Sequence, residues 1–406
     1  MDICWHSNAP WVSTGYGVQT AIFAQRMARD GHHVGVSCFY GLHGAALQWG
    51  DPPITCYPGL FHGYGLDVWD HHADRHGGDD CVILSLIDAW VLERPRHFWV
   101  GWLPVDHEPC PPPVLQKAAQ MDVAVAMSRF GQAMLAQGGV AAEYAPHGFD
   151  PAAYHRDPEA GQAVRDTIGV PTSAHLSVVV AANKGGWPSR KNLPNTLEGW
   201  ARFAHGRSDA YLYLHTYPGE DGQMGSCNLV ELARALGVVD RVRFLDPLRS
   251  VVGTPPDFMR GVFNAADVLL NVSMGEGFGV PMLEAQACGT PVITGRWTAQ
   301  GEVVGAGIFV EKDEAQTFWS PQAGRMWIAG PAVIADALDA AYQARGDDKA
   351  TTAALRHAEA YEADRVYAEH WRPILERVEE ARRPVRPSVD VAQVEWVNQH
   401  EEGVEA

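Results

Sequence analysis

Apolar residues fall along this chain in two kinds of block. "VGVSCFY", "CVILSLI" and "VAVAM", and later "HLSVVVAAN", "YLYLHTY", "RVRFLD", "DVLLNVS" and "TPVITG", are short runs rich in Val, Leu and Ile. Such runs are the mark of strands buried on both faces. Between them lie stretches of helical period such as "NTLEGWARFA" and "NLVELARALG". Regular alternation of the two kinds predicts parallel sheets covered by helices, an α/β architecture. The chain opens with one such unit: "DICWHSNAP" reads as a strand, "STGYGVQTAIFAQRMARDGHHV" as a Gly-rich turn and helix, and "VGVSCFY" as the next strand. In that helix Val18, Ala21, Ile22, Ala24, Met27 and Ala28 recur at spacings of three and four, with Gly31 placed to cap the end.

The pattern runs to about residue 165 and then restarts, which predicts two doubly wound domains, 1–165 and 166–345, meeting near "DPEAGQAVRDTIGVPTS". Residues 346–385 read as helices. Tyr367, Trp371, Ile374, Leu375 and Val378 share one face, and Pro373 implies a kink. Residues 386–406 are polar and acidic and are expected to form a frayed, flexible tail.

Composition narrows the function classes. With 46% hydrophobic and 20% charged residues over 406 positions, the chain has ample apolar surface for two cores. The charge is 31 − 49 = −18, so a polyanion would need a locally basic cleft. Seven scattered cysteines without a Cys-x-x-Cys pair fit a reducing, cytoplasmic setting, and no apolar run approaches a membrane span. The start "MDICWHSNAP" has no basic region ahead of an apolar one.

The chemistry concentrates in "LLNVSMGEGFGVPMLEAQACGTPVI", residues 269–293. It predicts a strand, a Gly-rich loop, a helix of about two turns opening near Pro281, and a second strand after Gly289. The start of that helix would lie at the carboxyl edge of the sheet, where open α/β folds bind ligands. There the amides of Phe278, Gly279 and Val280 can face a diphosphate, and Gly277 and Gly279 would let the backbone come close. Glu276 and Glu284, eight positions apart, would flank the phosphates and accept from sugar hydroxyls.

This stretch resembles the Glu-x7-Glu signature of retaining glycosyltransferases of the GT-B fold, the large family often called family 4. The likeness extends to "STGYGVQTAIFAQRMARDGHHV", to "VAMSRFG", to "APHGFDPAAY" and, with an inserted "GGWPS", to the basic element "AANKGGWPSRKN". It implies two Rossmann-like domains facing a central cleft, the N-domain on the acceptor side and the C-domain holding the donor, with the C-terminal helices returning to the N-domain. In family terms Glu284 would bind the ribose hydroxyls, and Glu276 with the Phe278, Gly279 and Val280 amides would hold the donor sugar and phosphates. The opening "WHSNAPW" with "GYG" is similar to enzymes often encoded by phages.

Departure of a nucleoside diphosphate develops charge on its β-phosphate, which calls for cations and oriented amides at that point. Arg190 and Lys191, with Lys184 in reserve, and the Gly15 to Gly17 backbone are the candidates from opposite domains. The resemblance implies retention of configuration, with no metal and no cofactor beyond the nucleotide-diphosphate sugar, a UDP- or GDP-sugar. Asp106 and His107 in "GWLPVDHEPCPPP" end a strand-like run and would orient an acceptor hydroxyl. "HHADRH" at 71–76 reads as a solvated loop and not as a metal site. Trp11 and "GLHGAALQWGDPPITCYPG" are candidates for an acceptor groove.

The sequence leaves the acceptor open among small molecules, glycans, proteins and, as the named alternative, hydroxymethylated pyrimidines of phage DNA. In the DNA case Trp90, Trp99 and Trp102 would stack on a flipped base, although at least two of them are expected in the core. A non-catalytic nucleotide-sugar binding protein, and an epimerase or phosphorylase on the same fold, are the competing readings.

Overall fold

The computed structural model describes residues 1–185, 188–219 and 227–382. The expected acidic tail at 386–406 and part of the "GGWPS" insertion lie outside the described residues. Two open sheets carry the molecule. The first orders its strands β3-β4-β2-β1-β5-β6-β7-β8, where β1 is Asp2–Asn8, β2 His33–Tyr40, β3 Leu47–Trp49, β4 Ile54–Tyr57, β5 Val82–Leu86, β6 Phe98–Leu103, β7 Val123–Ala126 and β8 Glu143–Tyr144. All pair in parallel except the edge strand β3, which runs antiparallel to β4. The second sheet is parallel throughout, in the order β11-β10-β9-β12-β13-β14, with β9 His175–Val180, β10 Ala210–His215, β11 Val242–Phe244, β12 Val268–Asn271, β13 Val292–Gly295 and β14 Gly307–Val310. The apolar runs fall where their composition predicts: every residue of β5, β12 and β13 is buried.

Strand order places the crevices. In the first sheet β1 lies between β2 and β5, and in the second β9 lies between β10 and β12. Chain connections leave in opposite directions from these points, so the loops after β1, β5, β9 and β12 open a gap at the carboxyl edge.

The helix Gly15–Arg29 is capped by Thr14, whose side chain accepts from the Gly17 amide, and closes with Gly31 at φ 92°. The expected domain boundary at 165/166 falls inside the helix Pro158–Ile168. That helix packs on Pro256–Ala265 and is tied to the second sheet by Arg165, which donates to Asp267 at 2.9 Å. "HHADRH" is a correction: it lies in the helix Trp69–Gly77, with His76 buried against His33 (ring centroids 4.0 Å) and His72 stacked on Tyr57.

After Pro331–Gln343 and Asp348–Ala358 the chain crosses to the first sheet. The Phe149 amide donates to the Tyr361 carbonyl and the Ala363 amide to the Phe149 carbonyl, Arg26 pairs with Asp364, and Tyr367 and Arg372 both donate to Asp30. Trp371 is fully buried among Trp5, Phe23 and Trp102, with its ring 4.9 Å from that of Trp102. Near Pro373, where a kink is expected, the helix carries a π-helical turn at Tyr367–Trp371 just before the proline. An antiparallel pair that the apolar pattern does not reveal, β15 Ala315–Trp319 and β16 Arg325–Ala329, follows β14.

Candidate active site

The loop after β12 behaves as its composition dictates. Gly279 takes φ 105°, which admits few side chains, and turns the chain into the helix Val280–Ala287 with Pro281 in its first turn. Cys288 and Gly289, at φ 82°, close that helix ahead of β13. No hydrogen bond among the described residues occupies the amides of Phe278, Gly279 and Val280, so they remain available at the positive helix end. The Glu276 amide, by contrast, donates to Thr298 Oγ1 at 3.0 Å.

Glu276 is almost wholly buried and is the centre of a charge cluster. Lys191 Nζ is hydrogen-bonded to its Oε1, and Arg190 Nη1 lies 3.2 Å from its Oε2. Arg190 also donates to the Gly275 carbonyl at 2.7 Å and reaches to 3.7 Å from Asp106 Oδ2, across the gap between the two sheets. Asp106 in turn sits 2.6 Å from His107 Nδ1. Burial alone would raise the Glu276 carboxyl, but Lys191 and Arg190 outweigh it and hold it at about 2. Burial lowers Lys191 against the pull of Glu276. For Asp106 the hydrogen bond from His107 and the charge of Arg190 overcome burial and keep the carboxyl low. Five of the residues expected to do chemistry, Glu276, Arg190, Lys191, Asp106 and His107, therefore meet in one place.

Others do not join them. Lys184 is exposed and forms no ion pair among the described residues. Glu284 makes no ion pair with this cluster among the described residues; it lies beside Tyr154, and burial pushes its carboxyl up to about 8. Of the expected donors after β1, Gly17 is already used: its amide donates to Thr14, and a Cβ there would lie 2.2 Å from the Val12 carbonyl oxygen. That leaves Gly15 and Tyr16 to meet a ligand. Gly277 also differs from expectation, because its missing side chain makes room for protein and not ligand: a Cβ would fall 2.3 Å from Pro104 Cβ. A Cβ at Gly275 would likewise fall 2.2 Å from the Asp106 carbonyl oxygen. These glycines let the two halves touch.

Three features escape sequence reasoning. Tyr16 donates to Asp88 Oδ2 at 3.3 Å, and burial together with the nearby Asp106 charge raises the Asp88 carboxyl. The visible signal was an aspartate just after the buried strand β5. The β15–β16 pair wraps His107: Glu108 and Arg325 exchange both backbone hydrogen bonds at 3.1 Å, and Lys312 holds the Glu108 carboxylate at 2.6 Å. Glu302 accepts from the Arg129 and Phe130 amides (2.7 and 2.8 Å), so a carboxylate of the second half caps a helix of the first. These partners are distant in sequence and carry no local pattern.

The tryptophans separate as their burial requires. Trp99 and Trp102 are fully buried, whereas Trp90 is 46% exposed. Two of the three rings on which a flipped DNA base would stack are thus unavailable.

Solved structures with this arrangement span nearly the whole chain. Sucrose-phosphate synthase from Thermosynechococcus elongatus aligns over 94% of this chain and 98% of its own, with a TM-score of 0.65 at 15% identity. HepE from Anabaena, in complex with UDP and glucose, aligns over 94% of this chain and 100% of its own, with a TM-score of 0.64 at 17% identity. The chain has the GT-B fold. Within it, residues 178–320 match the family model for glycosyl transferases group 1, a segment that contains Arg190, Lys191, Glu276 and Glu284. The D-inositol 3-phosphate glycosyltransferase of Salinispora tropica is 36% identical over 152 residues, 36% of this chain and 27% of that protein. Its counterpart in Corynebacterium diphtheriae is 48% identical over 67 residues, 16% of this chain and 14% of that protein. The matches span well under half the length of these curated relatives. No helix among the described residues is long and apolar enough to cross a membrane.

Proposed function

We propose that the protein transfers a sugar from a nucleotide-diphosphate sugar, a UDP- or GDP-sugar, to a hydroxyl acceptor with retention of configuration. The observation that carries the reading is the buried Glu276 held by Arg190 and Lys191 beside the free amides of Phe278, Gly279 and Val280. A donor diphosphate set on those amides would draw the two cations from Glu276 and leave its carboxylate to accept from the donor sugar. Its nucleoside would extend toward Glu284 and Tyr154. As the anomeric carbon–phosphate oxygen bond breaks, charge grows on the β-phosphate beside Arg190 and Lys191, where stabilisation counts most. The acceptor oxygen then bonds to the anomeric carbon and its proton passes to the departing phosphate, releasing a nucleoside diphosphate. Asp106 and His107 sit on the acceptor side of that bond. Positive charge comes from side chains in this scheme, so a metal has no part in it.

The likeness to a structure holding UDP and glucose, and the match of the Glu276 segment to group 1 glycosyl transferases, support the same reading. The test is incubation with UDP- and GDP-sugars and a panel of hydroxyl acceptors, following nucleoside diphosphate release and the anomeric configuration of the product by NMR. Release with a retained configuration supports it. Donor binding without turnover on long incubation would identify a binding protein, and phosphate-dependent glycan cleavage a phosphorylase.

A further inference from the structure

The first sheet presents a platform that the reaction scheme leaves unused. Four adjoining parallel strands, β4-β2-β1-β5, each deliver an exposed aromatic residue at or just beyond their carboxyl ends: Phe61 and Tyr64 after β4, Tyr40 at the end of β2, Trp11 after β1 and Trp90 after β5. This is the edge that also carries Tyr16, Asp88 and Asp106.

The platform is built. Phe61 is 91% exposed, yet its loop is fastened from behind: Asp67 accepts from the Phe61 and His62 amides at 2.9 and 3.1 Å. The Tyr64 amide donates to His62 Nδ1, and Trp11 Nε1 donates to the Gly41 carbonyl. Ser13 approaches Gly253 of the second half, which puts the platform at the mouth of the gap. Leaving a fastened aromatic ring in water is unfavourable unless something covers it.

Charge decides what covers it. The segments that carry these rings, 11–16, 40–67 and 86–92, hold three aspartates and no lysine or arginine. A phosphorylated acceptor or a nucleic acid would find no lysine or arginine on these segments to pair with. A neutral carbohydrate suits both features, since its apolar ring faces lie on aromatic rings and its hydroxyls donate to carboxylates.

We infer that the acceptor is a neutral oligosaccharide, lying across the aromatic residues at the carboxyl ends of β4, β2, β1 and β5 with its reacting hydroxyl directed to Asp88 and Asp106. This rests on the donor assignment to the second half.

The experiment titrates the full chain, with UDP bound, against neutral gluco-, galacto- and manno-oligosaccharides of one to about six sugars, using saturation-transfer NMR. Sugar phosphates and an oligonucleotide containing hydroxymethylcytosine are titrated in parallel. Affinity is expected to rise about three- to tenfold with each added sugar that reaches a ring, until the platform is filled. Phe61→Ala and Phe61→Leu are expected to flatten the rise, and Phe61→Tyr to keep it. The inference is overturned by affinity that does not grow with length, by tighter binding of the phosphorylated or DNA ligands, or by Phe61→Leu matching Phe61→Tyr, which would mark a merely apolar surface. UDP and GDP binding in the same samples separates the two readings. If a nucleotide binds and no oligosaccharide does, only the acceptor inference fails; if neither nucleotide binds, the donor reading fails.

Discussion

Glu276 and Glu284 are both carboxylates almost out of solvent, yet their environments drive them apart. Glu276 has two cations and stays ionised; Glu284 has none, and burial raises it to about 8 against the hydrogen bond from Tyr154. The sign of the linkage follows. Between the ordinary carboxylate range and about pH 8, folded Glu284 keeps a proton that the unfolded chain has lost, so its contribution to stability is greatest at low pH and falls as pH rises through that window. Glu284→Gln should therefore raise the melting temperature more at pH 8 than at pH 5, by the equivalent of roughly a few kcal/mol. Equal gains at the two pH values would mean that the carboxyl is not held neutral. If it also meets the ribose, Glu284→Ala should weaken UDP or GDP binding by the roughly 0.5 to 1.5 kcal/mol of a hydrogen bond to a neutral carboxyl, read by calorimetric titration. Arg190 and Lys191 act later, on the developing charge. Each changed to Ala should slow transfer by about two orders of magnitude, and near-normal turnover of the double variant would move the diphosphate elsewhere.

Close approaches between elements in the gap include the loop after β12 against the segment after β6, and the β15–β16 pair against Glu108. Gly277→Ala tests the first. The added Cβ would fall 2.3 Å from Pro104 Cβ, too near for real atoms, so one side must move. A displacement of about 1 Å at the reacting centre is enough to cost about a hundredfold in rate. The expected outcome is slow transfer with UDP binding retained, seen by steady-state kinetics alongside titration. A normal rate would show that the contact relaxes freely.

At the scale of the molecule, the C-terminal crossing couples the halves. Trp371 comes from the last helical stretch but completes the aromatic core of Trp5, Phe23 and Trp102 beneath the first sheet. Trp371→Ala should destabilise that half by about 3 to 5 kcal/mol, the cost of a buried aromatic truncated to a cavity. Denaturant unfolding checks this: the loss should appear in the transition of the first half, and a transition that stays in place would mean that the crossing contributes little.

Much of this was already written in local pattern. The two sheets, the loop at 272–279, the short helix after it and Glu276 follow from apolar runs and glycine positions, because each depends on residues near one another in the chain, while Arg190 and Lys191 follow from the resemblance of the basic element. What local pattern could not reach depends on strand order. Which strands lie side by side decides that Arg190 after β9 meets Glu276 after β12, and the apposition of the sheets brings Asp106 to Arg190. The same apposition made Gly277 a contact between halves and gave Glu302 a helix of the opposite half to cap, whereas packing inside the first half placed "HHADRH" in a helix against His33 and Tyr57. Burial belongs to the same class. Trp90 and Trp99 look alike in sequence, but only the packed fold leaves one ring in solvent and seals the other, because exposure is a property of everything that surrounds a side chain.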